Sequence, residues 1–196
     1  QEQVHQVLKS VWDRPALSKR LKQRVSSILQ WAIATGQRSN PDPVPAAALL
    51  LPVQAHKTVG QASMPYQDLP AFWGRLEAIQ SHASIGLQAL ILSCLRSKEV
   101  RLATWDEIDI EGRVWRLSAE RMKANGGHDV PLSRQLKQIL KLQSALHSGN
   151  DAFPGPRGRP LSANAFGVVL GRLNAPFTAH GFRSTARTWM LEQSEY

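Results

Sequence analysis

Apolar residues recur at helical spacing near the front of the chain. Leu17, Leu21, Val25, Ile28, Leu29 and Ala32 fall three or four positions apart and form one stripe. Pro15, which a first helical turn tolerates, marks the start, and Gly36 marks the stop. Lys19, Arg20, Lys22 and Arg24 fall mostly off the stripe, so the predicted helix sets a basic face against an apolar one. Those cations read either as a solvated face or as contacts to a DNA backbone. The stretch 38–45 holds three prolines and reads as a loop. The next stretch, 56–65, is loosely patterned around Gly60 and marks a predicted boundary.

The second region opens with two predicted helices. Asp68 stands as an N-cap before Phe72, Leu76 and Ile79. The run from Ile85 to Leu95 is apolar almost all round, as in a helix buried in a core. A short helix is predicted near 98–103. The period then shortens. Residues 104–110 read as a strand, Glu111-Gly112 as a turn, 114–117 as a second strand and 128–131 as a third. Asn125-Gly126-Gly127 is strong turn chemistry, which puts Lys123 at or near a hairpin tip. Ser133 caps a helix through Leu136, Ile139, Leu140 and Leu146, stopped by Gly149. Ser162 begins another, and Thr178 is the predicted N-cap of a last helix carrying His180, Arg183, Arg187 and Trp189. The fold class is mainly α with a small three-stranded antiparallel sheet.

Composition narrows the chemistry. The 196 residues suffice for one large domain or two small ones. A single cysteine, Cys94, excludes an intramolecular disulfide framework and a cysteine-based zinc site, and suits a reducing compartment. No apolar run reaches the roughly 18–20 residues of a membrane span, and no signal peptide is visible, so a cytoplasmic location is expected. Lys and Arg number 24 against 15 Asp and Glu, a net charge of +9, with a pI near 10.3. Such a surplus points to a polyanionic partner, or to a basic protein without one.

Four features carry candidate chemistry: Arg96 at the end of the buried helix, Lys123 near the hairpin tip, the pair His180 and Arg183 on one helical face, and Arg187 a turn further on. Two arginines, a lysine and a histidine at one site would clamp a phosphate. Arginine matches its oxygens bidentately, lysine can also give up a proton, and histidine exchanges one near neutral pH. Each has a plainer reading too. Arg96 can pair with Glu99, and Lys123 can be solvated. Asp106, Glu107, Asp109 and Glu111 form an acidic cluster that reads as a polar strand edge or, less readily, as a metal-dependent nuclease site.

In combination and order, these pieces resemble the tyrosine recombinase family, especially prophage and genomic-island integrases. The matching stretches are Leu-Arg-Ser-Lys-Glu-Val-Arg at 95–101, Thr-Trp-Asp-Glu-Ile-Asp at 104–109, Glu-Arg-Met-Lys at 120–123, Val-Pro-Leu-Ser at 130–133 and His-Gly-Phe-Arg-Ser-Thr-Ala-Arg-Thr-Trp at 180–189. The resemblance covers roughly 67–196. Over 1–56 it is weaker, resting on Trp31-Ala32 and Asn40-Pro41, which resemble the end of the family's helical core-binding domain. It implies a partial core-binding domain over 1–56, a linker over 57–66 that is mobile without DNA, and a partial catalytic domain over 67–196. The family's arm-binding domain has no counterpart in these residues.

The resemblance implies transesterification through a 3′-phosphotyrosyl link, without metal, nucleotide cofactor or small-molecule substrate. By motif, Arg96 and Arg183 would hold the non-bridging phosphate oxygens. Lys123 would protonate the 5′-hydroxyl leaving group, and His180 would assist proton transfer. Glu99 would support Arg96, and Arg187 would be structural or touch the DNA backbone, alongside Lys19, Arg20, Lys22 and Arg24. The partner would be double-stranded DNA, with a homo-tetramer on DNA in the full-length protein. Cys94 departs from the small residue, often glycine, that the family places there. The family's nucleophilic tyrosine lies well beyond His-x-x-Arg. Tyr196 is 13 residues after Arg183, about 20 Å along a continuing helix. The expectation is therefore a chain truncated before its nucleophile, which binds DNA without cutting it. The alternative is an integrase-derived binding module with no catalytic role.

Overall fold

The computed structural model describes residues 1–54, 62–121, 126–147 and 149–195. The chain divides into two compact units, Gln1–Val59 and Gly60–Tyr196. Lys123 and Tyr196 lie outside the described residues, as do 57–61 of the expected linker.

The first unit holds helices α1 (Glu2–Lys9), α2 (Pro15–Ala34) and α3 (Val44–Leu49), each packed on the other two. Pro15 opens α2, and Gly36 follows its end at a φ of 74°, as the pattern predicts. Burial along α2 differs from the predicted stripe. Leu17 and Ile28 are 42% and 64% exposed, whereas Ser18 is fully buried. The Ser18 hydroxyl donates to the Pro15 carbonyl, and the Gln54 amide donates to Ser18 Oγ and to the Trp12 carbonyl, so the polar atom is satisfied inside the unit. The proline-rich loop is also shorter than predicted. Pro45 sits in the first turn of α3, where its missing N–H costs nothing. The Asp42 carboxylate accepts from the Val44 amide and from the Ser26 hydroxyl, which ties the start of α3 to α2.

The second unit is built around α5 (His82–Ser93). Its Ser81 cap accepts from the Ser84 amide, and Gly86, Leu87, Ala89 and Leu90 are buried. Helices α4 (Leu69–Glu77), α7 (Arg134–Leu146), α8 (Ala165–Arg172) and α9 (Gly181–Gln193) pack around it. Gly86 permits close approach: a Cβ there would lie 3.1 Å from the Phe166 ring of α8. A short α6 (Ser97–Arg101) follows α5.

The sheet has the order β1-β2-β3, all antiparallel, with β1 (Ile108–Asp109), β2 (Val114–Leu117) and β3 (His128–Pro131). The last two strands match their predicted bounds. The first is shorter, because Trp105–Glu107 forms a 3₁₀ turn in place of a strand start. Trp115 of β2 is fully buried against Phe153, with ring centroids 6.4 Å apart.

Three helix ends are displaced from their predicted places. α7 stops at Leu146, before Gly149, and α8 begins at Ala165, after Ser162. α9 begins at Gly181, with His180 at its cap position, although Thr178 Oγ1 does accept from the Gly181 amide. Residues 62–65, assigned from the sequence to a linker, lie against α9. Met64 is buried, and its carbonyl accepts from the Thr185 hydroxyl. The Ala62 carbonyl accepts from the Thr178 amide, and a Cβ on Gly181 would lie 2.2 Å from that same oxygen.

Candidate nucleic-acid interface

The candidate site is built where α5 ends. Cys94 closes that helix in the left-handed region, at a φ of 54°, and the chain turns sharply into α6. Arg96 then occupies the cap position of α6 in an extended conformation. Glu99, three residues on, reaches back. One carboxylate oxygen accepts from the Arg96 amide at 2.6 Å, and the other accepts from the Arg96 guanidinium at 2.7 Å. The Glu99 side chain is 5% exposed and that of Arg96 42%, so a buried carboxylate holds an arginine that still faces outward. The charge pair anticipated from the sequence is thus real. It leaves the rest of the guanidinium for another ligand.

Arg183 lies in the first turn of α9 and donates from Nη1 to the Cys94 carbonyl. This bond brings the second arginine to the backbone two residues before the first. Burial pushes the Cys94 thiol up, and the nearby Arg183 charge opposes that rise. His180 and Arg187 are exposed on the same terminal segment as Arg183. Lys123, expected at the hairpin tip, belongs to 122–125, outside the described residues.

Arg121, just before that stretch, was not singled out from the sequence, and it is held tightly. Its Nη2 donates to the Glu99 carbonyl at 2.7 Å, and its Nη1 pairs with the Glu107 carboxylate. Sequence alone offers no signal that separates it from other surface arginines. Lys19, Arg20 and Arg24 are exposed on α2, and Lys22 is half-buried. Arg20 and Arg24 line a hollow of about 450 Å³ with Gln23, Ser27 and Ile28.

Three of the four residues in the acidic cluster, Glu107, Asp109 and Glu111, pair with arginines or lysines. Arg116 pairs with Asp109, Lys137 and Lys141 pair with Glu111, and Arg121 pairs with Glu107. The Gly112 amide and then Arg116 hold the Asp109 carboxyl below its ordinary range, and Lys141 and Lys137 do the same for Glu111. Among the described residues, no three His, Cys, Asp or Glu side chains lie close enough to share a metal ion. A larger groove of about 1060 Å³ lies between α4, α5, α7 and α9, walled by Trp73, Ile139, Phe182 and Trp189. It offers apolar surface and no basic side chain, so it is unsuited to an anion.

The order of these elements is matched in other proteins. The sequence profile of the phage integrase family covers residues 69–195. This chain belongs to that family. The prophage integrase IntZ of Escherichia coli K12 is 34% identical over 188 residues, spanning 93% of this chain and 46% of that protein. The integrase of Enterobacteria phage P4 is 29% identical over 192 residues, 87% of this chain and 43% of the phage protein. This integrase-family chain therefore spans less than half the length of these two relatives.

Solved structures share the fold at low identity. A lambda integrase dimer bound to a core site aligns with a TM-score of 0.74 at 17% identity, covering 99% of this chain and 74% of that one. The Tn1549 transposon integrase in complex with circular intermediate DNA aligns at 0.69 and 15%, covering 98% and 73%. The mainly helical architecture with one small antiparallel sheet is therefore the fold of an integrase. No described helix is long and apolar enough to cross a membrane.

Proposed function

We propose that these residues are part of a site-specific DNA recombinase acting by transesterification through a 3′-phosphotyrosyl intermediate. The observation that carries this reading is the convergence of Arg96 and Arg183 on the turn at Cys94, one fixed by the buried Glu99 and the other by the Cys94 carbonyl. Two fixed guanidiniums suit the two non-bridging oxygens of one DNA phosphate, where negative charge grows in the transition state. In the proposed roles, Lys123 protonates the departing 5′-hydroxyl and His180 assists proton transfer. Glu99 supports Arg96, and Arg187 contacts the backbone. Lys19, Arg20, Lys22 and Arg24 form a second contact surface on the first unit, which acts as part of a core-binding domain. The bound form is double-stranded DNA, and the longer protein assembles on it as a tetramer.

A specific observation favours binding without cleavage for these 196 residues. The Tyr66 hydroxyl accepts from the Gln193 side chain, 3.1 Å away, on a 3₁₀ turn outside the Arg96–Arg183 turn. Tyr196, the only other tyrosine, follows Arg183 by too few residues to match the family's nucleophile. The nucleophile is then supplied by residues outside these 196, or the protein is an integrase-derived module that occupies DNA without cutting it. The test is duplex binding across a salt series, followed by denaturing electrophoresis. Affinity falls with salt at a slope of about −0.9 per phosphate contacted, and no covalent adduct forms. Affinity that stays flat between about 50 and 200 mM salt removes the DNA reading. An adduct formed by this chain removes the binding-only reading.

A further inference from the structure

Helix α6 has only five residues, so its last carbonyls have few amide partners. The Ala103 amide, the helical donor due to the Glu99 carbonyl, bonds Val100 instead. Arg121 takes the vacant place, donating to the Glu99 carbonyl at 2.7 Å. Its other terminal nitrogen is engaged by Glu107, whose second carboxylate oxygen faces the Thr104 amide and the Trp115 indole N–H, each at 3.5 Å. The Arg121 side chain is 23% exposed and that of Glu107 14%. Arg121 thus turns one terminal nitrogen onto Glu99, the residue whose carboxylate grips Arg96, and the other onto Glu107, which anchors it.

The geometry points to Arg121 as the positioning residue for Arg96. It fixes α6 by the Glu99 carbonyl. The Glu99 carboxylate on the same residue then presents the Arg96 guanidinium outward in one orientation. Arg121 itself touches no ligand. This deepens the DNA reading above and rests on it for the phosphate that Arg96 meets. The holding of Arg96 does not depend on that reading.

Two measurements on the 196-residue chain decide the matter. Side-chain NMR of the free protein follows hydrogen exchange of the Arg96 guanidinium in the wild type and in R121Q. Exchange accelerates at least about tenfold in R121Q, the effect expected when one charge-assisted hydrogen bond is lost. Unchanged Arg96 exchange in a folded R121Q overturns the proposal, whatever happens with DNA. The second measurement is the salt slope of binding to a mixed-sequence duplex for wild type, R96A, R121Q and the R96A/R121Q pair. R96A lowers the slope by about 0.9, R121Q reproduces that loss, and the pair loses no more than either alone. Additive losses overturn the proposal, because Arg121 would then contact DNA itself.

A wild type that shows no salt-dependent binding defeats the DNA reading, and the exchange measurement then decides the positioning role alone. If R121Q unfolds, R121Q/E107Q removes the stranded carboxylate and keeps the test of the lost bond to Glu99. Loss of Arg96 order in that folded pair supports the proposal, and retention of order overturns it.

Discussion

Cys94 shows how a single backbone angle shapes the site. A left-handed residue at a helix end favours glycine, because an L side chain there crowds the following carbonyl at a cost of about 1–2 kcal/mol. That is the physical reason a small residue suits this position, and it was invisible in the hydrophobic pattern. The thiol, half-buried and raised by burial, should resist alkylation by iodoacetamide at pH 8 far better in the folded protein than in the unfolded one. Its linkage has a definite sign. As pH climbs through the ordinary thiol range, the unfolded chain ionises first, so stability falls between the unfolded and the folded pKa. Urea titrations from pH 7 to 10 should show a decline that Cys94→Ser abolishes. Gly181 is constrained differently, by the Ala62 carbonyl that a Cβ would meet at 2.2 Å. Gly181→Ala should cost about 1–3 kcal/mol in the same titration, since the obstacle is backbone and cannot rotate away.

At the scale of elements, the pattern was most legible where one force dominated. The all-round apolar run of α5 and the alternation in β2 both emerged where they were read. The misreadings occurred where local hydrogen bonding competed with periodicity. Residues 104–107 lead into the alternating Glu-Ile-Asp-Ile of 107–110 and read with it as one strand, but Glu107 folds back toward the Thr104 amide and closes a 3₁₀ turn. Prolines suggested a loop through 45, although a helix accepts proline in its first turn, so α3 was missed. On α2, Ser18 took a buried place beside Gln54, a partner distant in sequence that no helical period reveals. The Ser81 cap of α5 is testable alone. Ser81→Ala should lower stability by about 0.5–2 kcal/mol, because the amide of buried Ser84 loses its acceptor at a half-buried helix start.

At the scale of the molecule, the surplus of +9 should make folding sensitive to polyanions. Binding to the native state alone raises Tm, so a DNA duplex at about 100 times its Kd should add about 2.7 kcal/mol at low salt. Differential scanning calorimetry should show that gain vanish as salt is raised. The five stretches at 95–101, 104–109, 120–123, 130–133 and 180–189 were legible in the sequence, and they carried the resemblance to the family. The bonds that orient these side chains were not, since the Arg183 contact at Cys94 and the Arg121 contact at Glu99 join residues far apart in sequence.

The segment at 62–65 has its own consequence for how the second unit assembles. Thr185 and Met64 are 121 positions apart, so their hydrogen bond closes nearly the whole unit into a ring. Such a closure carries a large loop entropy and is worthwhile only once the helices between have collapsed. It should therefore be among the last contacts to form and the first to open. In native-state hydrogen exchange, the Thr178 amide held by Ala62 should exchange through a small local opening, while amides in the middle of α5 wait for global unfolding. The seam of this unit would then be the place where its first residues meet its last helix.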